Sequence, residues 1–429
     1  MDAFNENLNE QQAQQPMGCL HRFSKTIKVV IIGLLILLLM IPMFMIENLI
    51  SERGRTQEEA IDEVSEKWSL AQTITGPYLN LQYPVVTENN GEKKVSIKDL
   101  ILFPDELMVN GQLKTEILKR SIYEVNVYQS ELTLKGSFSS EELKKSRIDM
   151  DQLQFDRAAI CLNLTDMRGI SEQISITLGD SVYIFEPGMD NRGIANTGVH
   201  AIANLSELKQ NKKLPYEIKI KLKGSQSLNF IPLGKTTRVD LKANWNTPSF
   251  TGNYLPNNRN ITEKEFSAQW QVLNLNRNYS QVMADYNTSN IKDIENSSFG
   301  VNFKIPVEQY QQSMRSAKYA ILIILLTFGV IFFTEIMNKT RIHALQYLLV
   351  GLALCLFYSL LLSFSEHIGF NPAYLLSSAL TIILVGGYMF GITKKKKPSL
   401  IMSGLLGILY LYIFVLIQLE TFALLAGSL

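Results

Sequence analysis

The sequence has few of the residues from which catalytic and metal centres are usually built. Its four histidines follow no metal-ligand spacing, and neither the G-x-S-x-G nor the H-E-x-x-H pattern occurs. Gly234-Lys235-Thr236 resembles the end of a phosphate-binding loop, but Asn229 stands where that loop requires its first glycine. We therefore predict that the protein is not an enzyme and that it carries no cofactor and no metal.

An excess of one charge is also missing, since 41 basic residues balance 40 acidic ones and leave a net charge of +1. No basic stripe lies outside the flanks of the apolar runs, which argues against nucleic acid or a strongly acidic molecule as a partner. The charges that bear on the structure are therefore the local ones beside those runs.

Long apolar runs are absent from the middle of the chain and concentrated at its two ends. Each run has about the 20 residues that a helix needs to cross the hydrocarbon layer of a membrane. The runs are residues 27–46, 317–337, 343–364, 372–392 and 400–417. The sequence thus predicts one N-terminal transmembrane helix and a C-terminal helix bundle. Residues 418–429 are apolar again, so we expect either an interfacial segment or the start of a sixth helix.

Basic residues set the predicted orientation. The short link 338–342 holds a lysine and an arginine, four lysines fill residues 394–397, and short basic loops stay on the cytoplasmic side. The tail 1–26 is rich in Asn, Gln and Glu and ends with basic residues, so it is predicted to be disordered and cytoplasmic. Residues 47–316 then form a large domain on the outer side of the membrane.

The three cysteines fall in different compartments of this topology. Cys19 lies in the cytoplasm, Cys161 in the outer compartment and Cys355 in the bilayer. No two of them can meet, so we predict no disulfide within one chain. Cys161 is expected to pack as a small hydrophobic residue.

Two sequence patterns divide the outer region. Thr56-x-x-Glu59 is a capping box, and the apolar residues that follow it predict an amphipathic helix over 56–75, packed on the outer domain rather than among lipid headgroups. From 78 to 306 the period changes to two, as in Tyr216-Glu-Ile-Lys-Ile-Lys-Leu-Lys-Gly224, and Asn110-Gly111 is a hairpin signal. The prediction is an α+β membrane protein with a large, antiparallel, sandwich-like β-rich domain.

Four ionisable residues near the predicted helix ends are candidate functional residues: Glu335, Glu366, His367 and Glu420. A carboxylate at membrane depth is a functional candidate, and a Glu/His pair is able to relay protons. The structural alternative is that Glu335 pairs with Lys339 and that the other three sit among headgroups. We favour that alternative, because none of the four lies at the bilayer midplane.

Small residues recur at four-residue spacing on the predicted C-terminal helices. They are Gly351, Cys355, Ser359 and Ser363 on the third helix, Gly387 and Gly391 on the fourth, and Ser403 and Gly407 on the fifth. Small residues let transmembrane helices approach closely, so these positions predict packing surfaces and identify no substrate.

Several long motifs together resemble the CreD family of bacterial inner-membrane proteins. They are Trp68-x-x-x-Gln72-Thr-x-x-Gly76-Pro77, then Trp245-Asn-Thr-Pro248-Ser-Phe250-x-Gly252-x-Tyr-Leu255-Pro256 with Phe266-x-Ala268-x-Trp270, and in the membrane Phe332-Phe-x-Glu335 and Ser363-x-Ser-Glu366-His367. The chain departs from the family at Ser69, where a glycine is usual. Family members also continue beyond residue 428 into a last helix, so this chain is expected to be truncated.

The resemblance implies a multi-pass protein of the bacterial inner membrane, with its N-terminus in the cytoplasm and its large domain in the periplasm. It also implies a role in cell-envelope integrity and stress response, linked indirectly to a two-component sensor system. We favour a non-enzymatic protein whose periplasmic β-domain binds an envelope lipid, a glycan or a partner protein. The alternative is a lipid- or glycan-handling permease, and an enzyme is the third hypothesis.

The most distinctive outer motif supplies the candidate interaction surface. Its members are Trp245, Pro248, Phe250, Gly252, Leu255, Pro256, Phe266 and Trp270. The same residues have structural interpretations, with the tryptophans in the core, the prolines at turns or edges and the glycine at a bulge.

Overall fold

A computed structural model describes residues 18–89, 92–145, 148–189, 194–210, 212–284, 288–303, 308–338 and 341–428. The chain divides into two compact units, a helical unit of Met1–Gln57 with Val307–Leu429 and a β unit of Glu58–Pro306. The predicted outer domain, 47–316, is about ten residues longer at each end than the β unit, because residues near the membrane ends pack with the helices. Residues 1–17 of the predicted disordered tail lie outside the described residues, whereas residues 18–26 form the start of α1, so the prediction of disorder is wrong for them.

The helices include both short ones and helices long enough to span a membrane. They are α1 (Gly18–Trp68), α2 (Glu141–Lys145), α3 (Ser206–Lys209), α4 (Thr288–Asn296), α5 (Glu308–Lys318), α6 (Ala320–Asn338), α7 (Ala344–Ile368), α8 (Phe370–Thr393) and α9 (Lys396–Ser428). Among the described residues five helices, α1 and α6 to α9, are long and apolar enough to cross a membrane. The prediction of one N-terminal and four C-terminal membrane helices is confirmed. The segment after residue 417 continues α9 as far as Ser428.

The predicted separate helix over 56–75 is wrong in both of its bounds. Helix α1 runs without interruption through Thr56, whose hydroxyl donates to the carbonyl oxygen of Glu52 one turn earlier instead of capping a new helix. A capping box requires extended backbone at its first residue, and here that residue lies in mid-helix. The helix ends at Trp68, and Gln72 already begins the first strand.

The β unit contains two sheets. Its strands are β1 (Gln72–Asn89), β2 (Glu92–Leu102), β3 (Glu106–Arg120), β4 (Tyr123–Phe138), β5 (Ala158–Leu164), β6 (Ser175–Leu178), β7 (Ser181–Ile184), β8 (Glu186–Pro187), β9 (Val199–Ala203), β10 (Leu214–Ser225), β11 (Ser227–Phe230), β12 (Thr236–Ala243), β13 (Ser249–Gly252), β14 (Asn258–Ile261), β15 (Phe266–Leu273), β16 (Val282–Ala284) and β17 (Phe299–Asn302). One sheet has the order β13-β17-β11-β1-β5-β9-β8, with β2 and β16 attached through β1, and the other has the order β14-β15-β12-β3-β4-β10-β6-β7.

The buried faces of both sheets contribute to one hydrophobic core, as predicted for a sandwich-like domain. Leu79 and Ile160 come from the first sheet, and Leu132, Ile218 and Val239 come from the second. The strands alternate between buried and exposed side chains, most regularly in β3 and β10. This alternation confirms the period-two prediction.

The sheets are mixed and not purely antiparallel. Strand β1 pairs with β11 in parallel, and β3 pairs with β12 in parallel. Parallel neighbours need a long connection between them, and here well over 100 residues separate the partners in each case. The alternation of apolar residues predicts a half-buried strand but carries no information on the direction of its neighbour.

The predicted hairpin at Asn110-Gly111 is also wrong. Both residues lie inside β3, where Asn110 pairs with Thr133 and Gly111 with Leu132. A Cβ on Gly111 would lie 2.6 Å from the Leu241 side chain and 2.7 Å from that of Leu132. The glycine is therefore required for close packing across three strands and not for a turn.

A second, smaller core covers the other face of the first sheet. It includes the fully buried Cys161, together with Tyr78, Phe103 and Tyr279. Cys161 and Cys355 are both buried free cysteines. The prediction that Cys161 packs as a small hydrophobic residue is confirmed.

Candidate functional site

The aromatic residues of the predicted interaction surface belong mainly to the core. Phe266 and Trp270 are each 2% exposed. The Phe250 ring packs edge-on against both, with centroid separations of 5.9 Å and 5.6 Å. The Trp270 indole N–H donates to the carbonyl oxygen of Tyr254 at 3.1 Å. These side chains fasten β13 and the chain after it onto the core.

The remaining motif residues shape the backbone of the same segment. The Trp245 indole donates to the nearby Thr247 carbonyl at 3.0 Å, and Pro248 and Pro256 are half-buried. Gly252 has a φ of 94°, and a Cβ there would collide with the Ser298 carbonyl oxygen. Among the large apolar side chains of the motif, Leu255 is the one well exposed, at 61%. The motif is therefore mostly a packing element. Burial corrects the predicted interaction role for Phe266 and Trp270, and that of the exposed positions, such as Leu255, stays a prediction.

A buried polar cluster lies where α1 ends. The Asp166 carboxylate accepts hydrogen bonds from the Leu70 backbone N–H at 2.9 Å, from the Ser69 hydroxyl at 3.3 Å and from the Arg168 guanidinium at 2.9 Å. The Gln72 amide donates to the Asp166 carbonyl oxygen at 2.7 Å. Burial alone raises the pKa of Asp166, but the hydrogen bonds from Arg168 and from the Leu70 and Arg168 backbone outweigh it and lower that pKa to about 2.

This polar cluster fixes the chain on both sides of it. The Arg168 guanidinium also donates to the Glu66 carbonyl oxygen at 2.6 Å, in the last turn of α1. A Cβ on Gly169 would lie 2.8 Å from both the Ser69 hydroxyl and the Gln72 amide, so glycine is needed there. Residues 170–172 then run beside β10, since Ile170 bridges to Leu222 and the Ser171 N–H donates to the Lys221 carbonyl oxygen at 3.0 Å.

A polar groove of about 540 Å³ lies beside this segment, on the outer face of the second sheet. Its floor is formed by β3, β4 and β10, and residues 171–172 form its rim. The lining residues are Gln112, Leu113, Lys114, Gln129, Ser130, Glu131, Ser171, Glu172, Lys221, Leu222 and Lys223. A volume of this size is within the range of pockets that hold small organic ligands.

The strand register arranges the polar side chains of the groove in two rows. Gln112, Glu131 and Lys221 are cross-strand neighbours and form one row. In it Lys221 pairs with Glu172 at 2.8 Å and approaches Glu131 at 4.0 Å. The hydrogen bond to Glu172 raises the pKa of Lys221, so this lysine is charged, and the Glu172 carboxylate balances its charge.

The second row consists of Lys114, Gln129 and Lys223. The Lys223 ammonium lies over the ring of Trp68, the last residue of α1, at 5.0 Å from its centroid. The Trp68 indole donates to the Tyr128 carbonyl oxygen at 3.4 Å. The end of α1 therefore orients one of the two basic side chains in this row.

Two carboxylates of the helical unit contact α1 near the two ends of its apolar segment. At one end Glu335 forms an ion pair with Lys28 and accepts from the Tyr347 hydroxyl at 3.2 Å. At the other end Glu366 accepts from the Tyr310 hydroxyl at 3.0 Å, and Arg53 lies 3.9 Å from it. Lys28 and Arg53 are roughly 38 Å apart along the helix, close to the thickness of a bilayer with its interfaces.

The predicted partner of Glu335, Lys339, lies outside the described residues, and within them Glu335 pairs with Lys28 of α1. His367 is exposed, and its Nδ1 contacts the Ser363 carbonyl oxygen of its own helix at 3.1 Å, while Glu366 faces Tyr310. A Glu366–His367 proton relay is therefore not assembled. The backbone of Glu420 belongs to α9, and its side chain lies outside the described part of the chain.

The predicted packing residues behave differently from one another. A Cβ on Gly351 would collide with Leu39 of α1, and Cys355 is buried, whereas Ser359 is half-buried and Ser363 is exposed. On α8 the close contact is made by a residue that the spacing did not select, because a Cβ on Gly386 would collide with the Ser403 hydroxyl.

Gly387 and Gly391, which the spacing did select, are open positions. Within the described residues, a Cβ at either would meet no heavy atom of a neighbouring element within 4 Å. The predicted packing role of these two glycines is corrected on that basis, since helical spacing identifies a face but not what the face meets.

Comparison with known sequences places these features in a family. The family described as "Inner membrane protein CreD" matches residues 24–429. The protein "Inner membrane protein CreD" of Escherichia coli (strain K12) is 32% identical over 375 residues, which cover 86% of this chain and 81% of that protein. The chain belongs to the CreD family. It is therefore an inner membrane protein, and the predicted resemblance is confirmed.

The first CreD motif has a structural explanation in the polar cluster at the end of α1. Gln72 and Ser69 are both fully buried and hydrogen-bonded to each other at 2.9 Å. Their partner Asp166 lies more than 90 residues away in the sequence, so neither the cluster nor the groove beside it could be predicted from local spacing. The alternation of exposed Gln112, Lys114, Gln129 and Glu131 was the one available signal, and it is shared by every half-buried strand.

Proposed function

We propose that this CreD-family protein contributes to cell-envelope integrity by presenting its β unit to the periplasm, where the polar groove binds an envelope component. The single observation that carries the proposal is the groove itself. It combines ligand-sized volume with outward-facing amide, carboxylate and ammonium groups on a rigid three-stranded floor. Binding sites on regular elements hold their side chains more firmly than sites on loops.

The proposed orientation rests on the basic links between the membrane helices. It is tested in whole cells with a membrane-impermeant maleimide and single introduced cysteines. Gln112→Cys on the exposed face of β3 is expected to react, and Lys395→Cys in the link between α8 and α9 is expected to react only after the membrane is opened. The reverse pattern would refute a periplasmic β unit. Cys19 is replaced by serine in both variants, and Cys161 and Cys355 are buried and give little background.

Groove binding is tested by filling the groove. Gln112→Trp places a bulky side chain on the floor, and Asn110→Trp is its matched control, two residues away on the same face of β3 but outside the lining. Under an envelope stress that requires the protein, Gln112→Trp is expected to fail and Asn110→Trp to behave as wild type. Equal behaviour of the two variants, at equal protein levels, would refute the groove as the functional site.

A lipid- or glycan-handling permease is the alternative function. The observation that favours it is a crevice of about 260 Å³ between α8 and α9, whose lining includes Asn371, Tyr374, Tyr410 and Phe414. A permease whose carboxylates take part in transport should lose function in Glu335→Gln or Glu366→Gln at unchanged protein level. A binding protein should tolerate both substitutions to the extent that the bundle stays folded.

A further inference from the structure

The groove has an uneven charge distribution along its length. In the first row the single lysine, Lys221, is neutralised by Glu172 and lies near Glu131. In the second row Lys114 and Lys223 flank Gln129, and within the described residues neither forms an ion pair. One end of the groove is therefore basic, and the other end has one carboxylate more than it has lysines.

The two lysines of the second row are spaced to share one ligand. Lys114 and Lys223 stand on β3 and β10 with β4 between them, so their backbones are roughly 10 Å apart. Both side chains are long enough to converge over Gln129, and the Trp68 ring already orients that of Lys223. An anionic group above Gln129 would receive charge-assisted hydrogen bonds from both sides.

The rest of the lining offers both hydrogen-bond donors and acceptors. Amide side chains donate and accept, carboxylates accept, and serine does both, which matches the two-way hydrogen bonding of sugar hydroxyls. The apolar lining residues, Leu113 and Leu222, are 6% and 1% exposed because their side chains face the core.

We propose that the groove binds an anionic saccharide, with its carboxylate or phosphate between Lys114 and Lys223 and its hydroxyls along Gln112, Gln129 and Glu131. This proposal rests on the groove being the functional site. It goes beyond that function by naming the chemical class of the ligand and the residues that separate charged from neutral sugars.

The test uses the full-length protein in lipid nanodiscs and defined probes. Digalacturonate supplies a carboxylated saccharide, glucose 1-phosphate a phosphorylated one, cellobiose a neutral one, and inorganic phosphate an anion without a sugar. At least one charged sugar is expected to bind about tenfold more tightly than cellobiose and than inorganic phosphate. The stronger of the two charged probes tells which anion the site prefers.

Variants connect binding to the basic end of the groove. Lys114→Gln with Lys223→Gln is expected to raise the Kd of the preferred probe about tenfold or more. The matched control is Lys219→Gln, an exposed lysine on the same face of β10 that lies outside the lining. It is expected to leave the Kd within about twofold.

Four results would overturn the proposal: cellobiose binding as tightly as the charged sugars, phosphate binding as tightly as them, no binding of either charged sugar, or no effect of the double variant. The failure of the groove as a functional site is seen separately. If neither charged sugar binds while Gln112→Trp still abolishes function in cells, the ligand class is wrong and the groove remains the site.

Discussion

The Lys28 ammonium of α1 and the Glu335 carboxylate of α6 form an ion pair that joins the N-terminal helix to the C-terminal bundle. Lys28 also donates to the Ile342 carbonyl oxygen at 2.8 Å, and the Tyr347 hydroxyl donates to Glu335. With Arg53 near Glu366 at the other end of the apolar segment, that segment of α1 is held to the bundle at both of its ends. It is an integral part of the bundle and not a detached anchor.

We expect Lys28→Glu to destabilise the helical unit by roughly 3 kcal/mol, because it leaves two carboxylates facing each other in a largely buried site. The exchange Lys28→Glu with Glu335→Lys should recover part of the loss, and Arg341→Glu on the exposed link is the control. Thermal denaturation in detergent measures all three variants. A single Lys28→Glu variant as stable as wild type would contradict the ion pair.

The packing assignments on the third and fourth membrane helices make a paired prediction. Gly351→Val should lower the denaturation temperature of the bundle, since a Cβ there already collides with Leu39 of α1. Gly387→Val should change it little, because a Cβ at Gly387 meets open space. Equal destabilisation by the two variants would contradict the assignment of Gly351 as a packing position and of Gly387 as an open one.

We expect the buried aromatic residues around Trp270 to stabilise the hydrophobic core of the β unit. Trp270→Ala is expected to reduce the free energy of unfolding of the β unit by about 3–5 kcal/mol, because it removes a 2%-exposed side chain that contacts Phe250 and Phe299. Leu255→Ala, at an exposed position of the same motif, should change it by less than about 0.5 kcal/mol. Chemical denaturation of the full chain gives both values. Near-wild-type stability of Trp270→Ala would restore the motif as a surface.

The membrane helices and many of the strands could be predicted, because each depends on a local pattern of apolar residues. Five apolar runs gave five membrane helices, and the alternation over 216–224 gave β10. The hairpin prediction at Asn110-Gly111 failed because a glycine is required both in tight turns and where strands pack closely. The helix start predicted at Thr56 failed because the Thr56 hydroxyl donates to a carbonyl oxygen within a continuing helix. The contacts of Asp166, of Lys28 and of the two groove rows could not be predicted from the sequence, because their partners are distant in the chain and meet only in the tertiary fold.

The Asp166 cluster makes stability depend on pH in a defined direction. Its pKa of about 2 lies below the ordinary 3.8, so the ionised form stabilises the fold. That contribution, about 2 kcal/mol, is complete above pH 4 to 5 and is lost as the pH falls toward 2. Asp166→Asn should lower stability at neutral pH and flatten this dependence, and the exposed Asp156→Asn should do neither. An unchanged acid limb in Asp166→Asn would show that the carboxylate is not held as described.

The most direct test of the account is photo-crosslinking from the groove in native membranes. A photoreactive residue is placed at Gln112 or Glu131 inside the groove and at Asn110 outside it, and the adducts are identified by mass spectrometry. We predict one saccharide-containing envelope component that is captured from Gln112 and Glu131, not from Asn110, and lost in the Lys114→Gln/Lys223→Gln variant. The same adducts from all three positions, or none from the groove of a folded protein, would contradict the claim that this groove is where the protein acts.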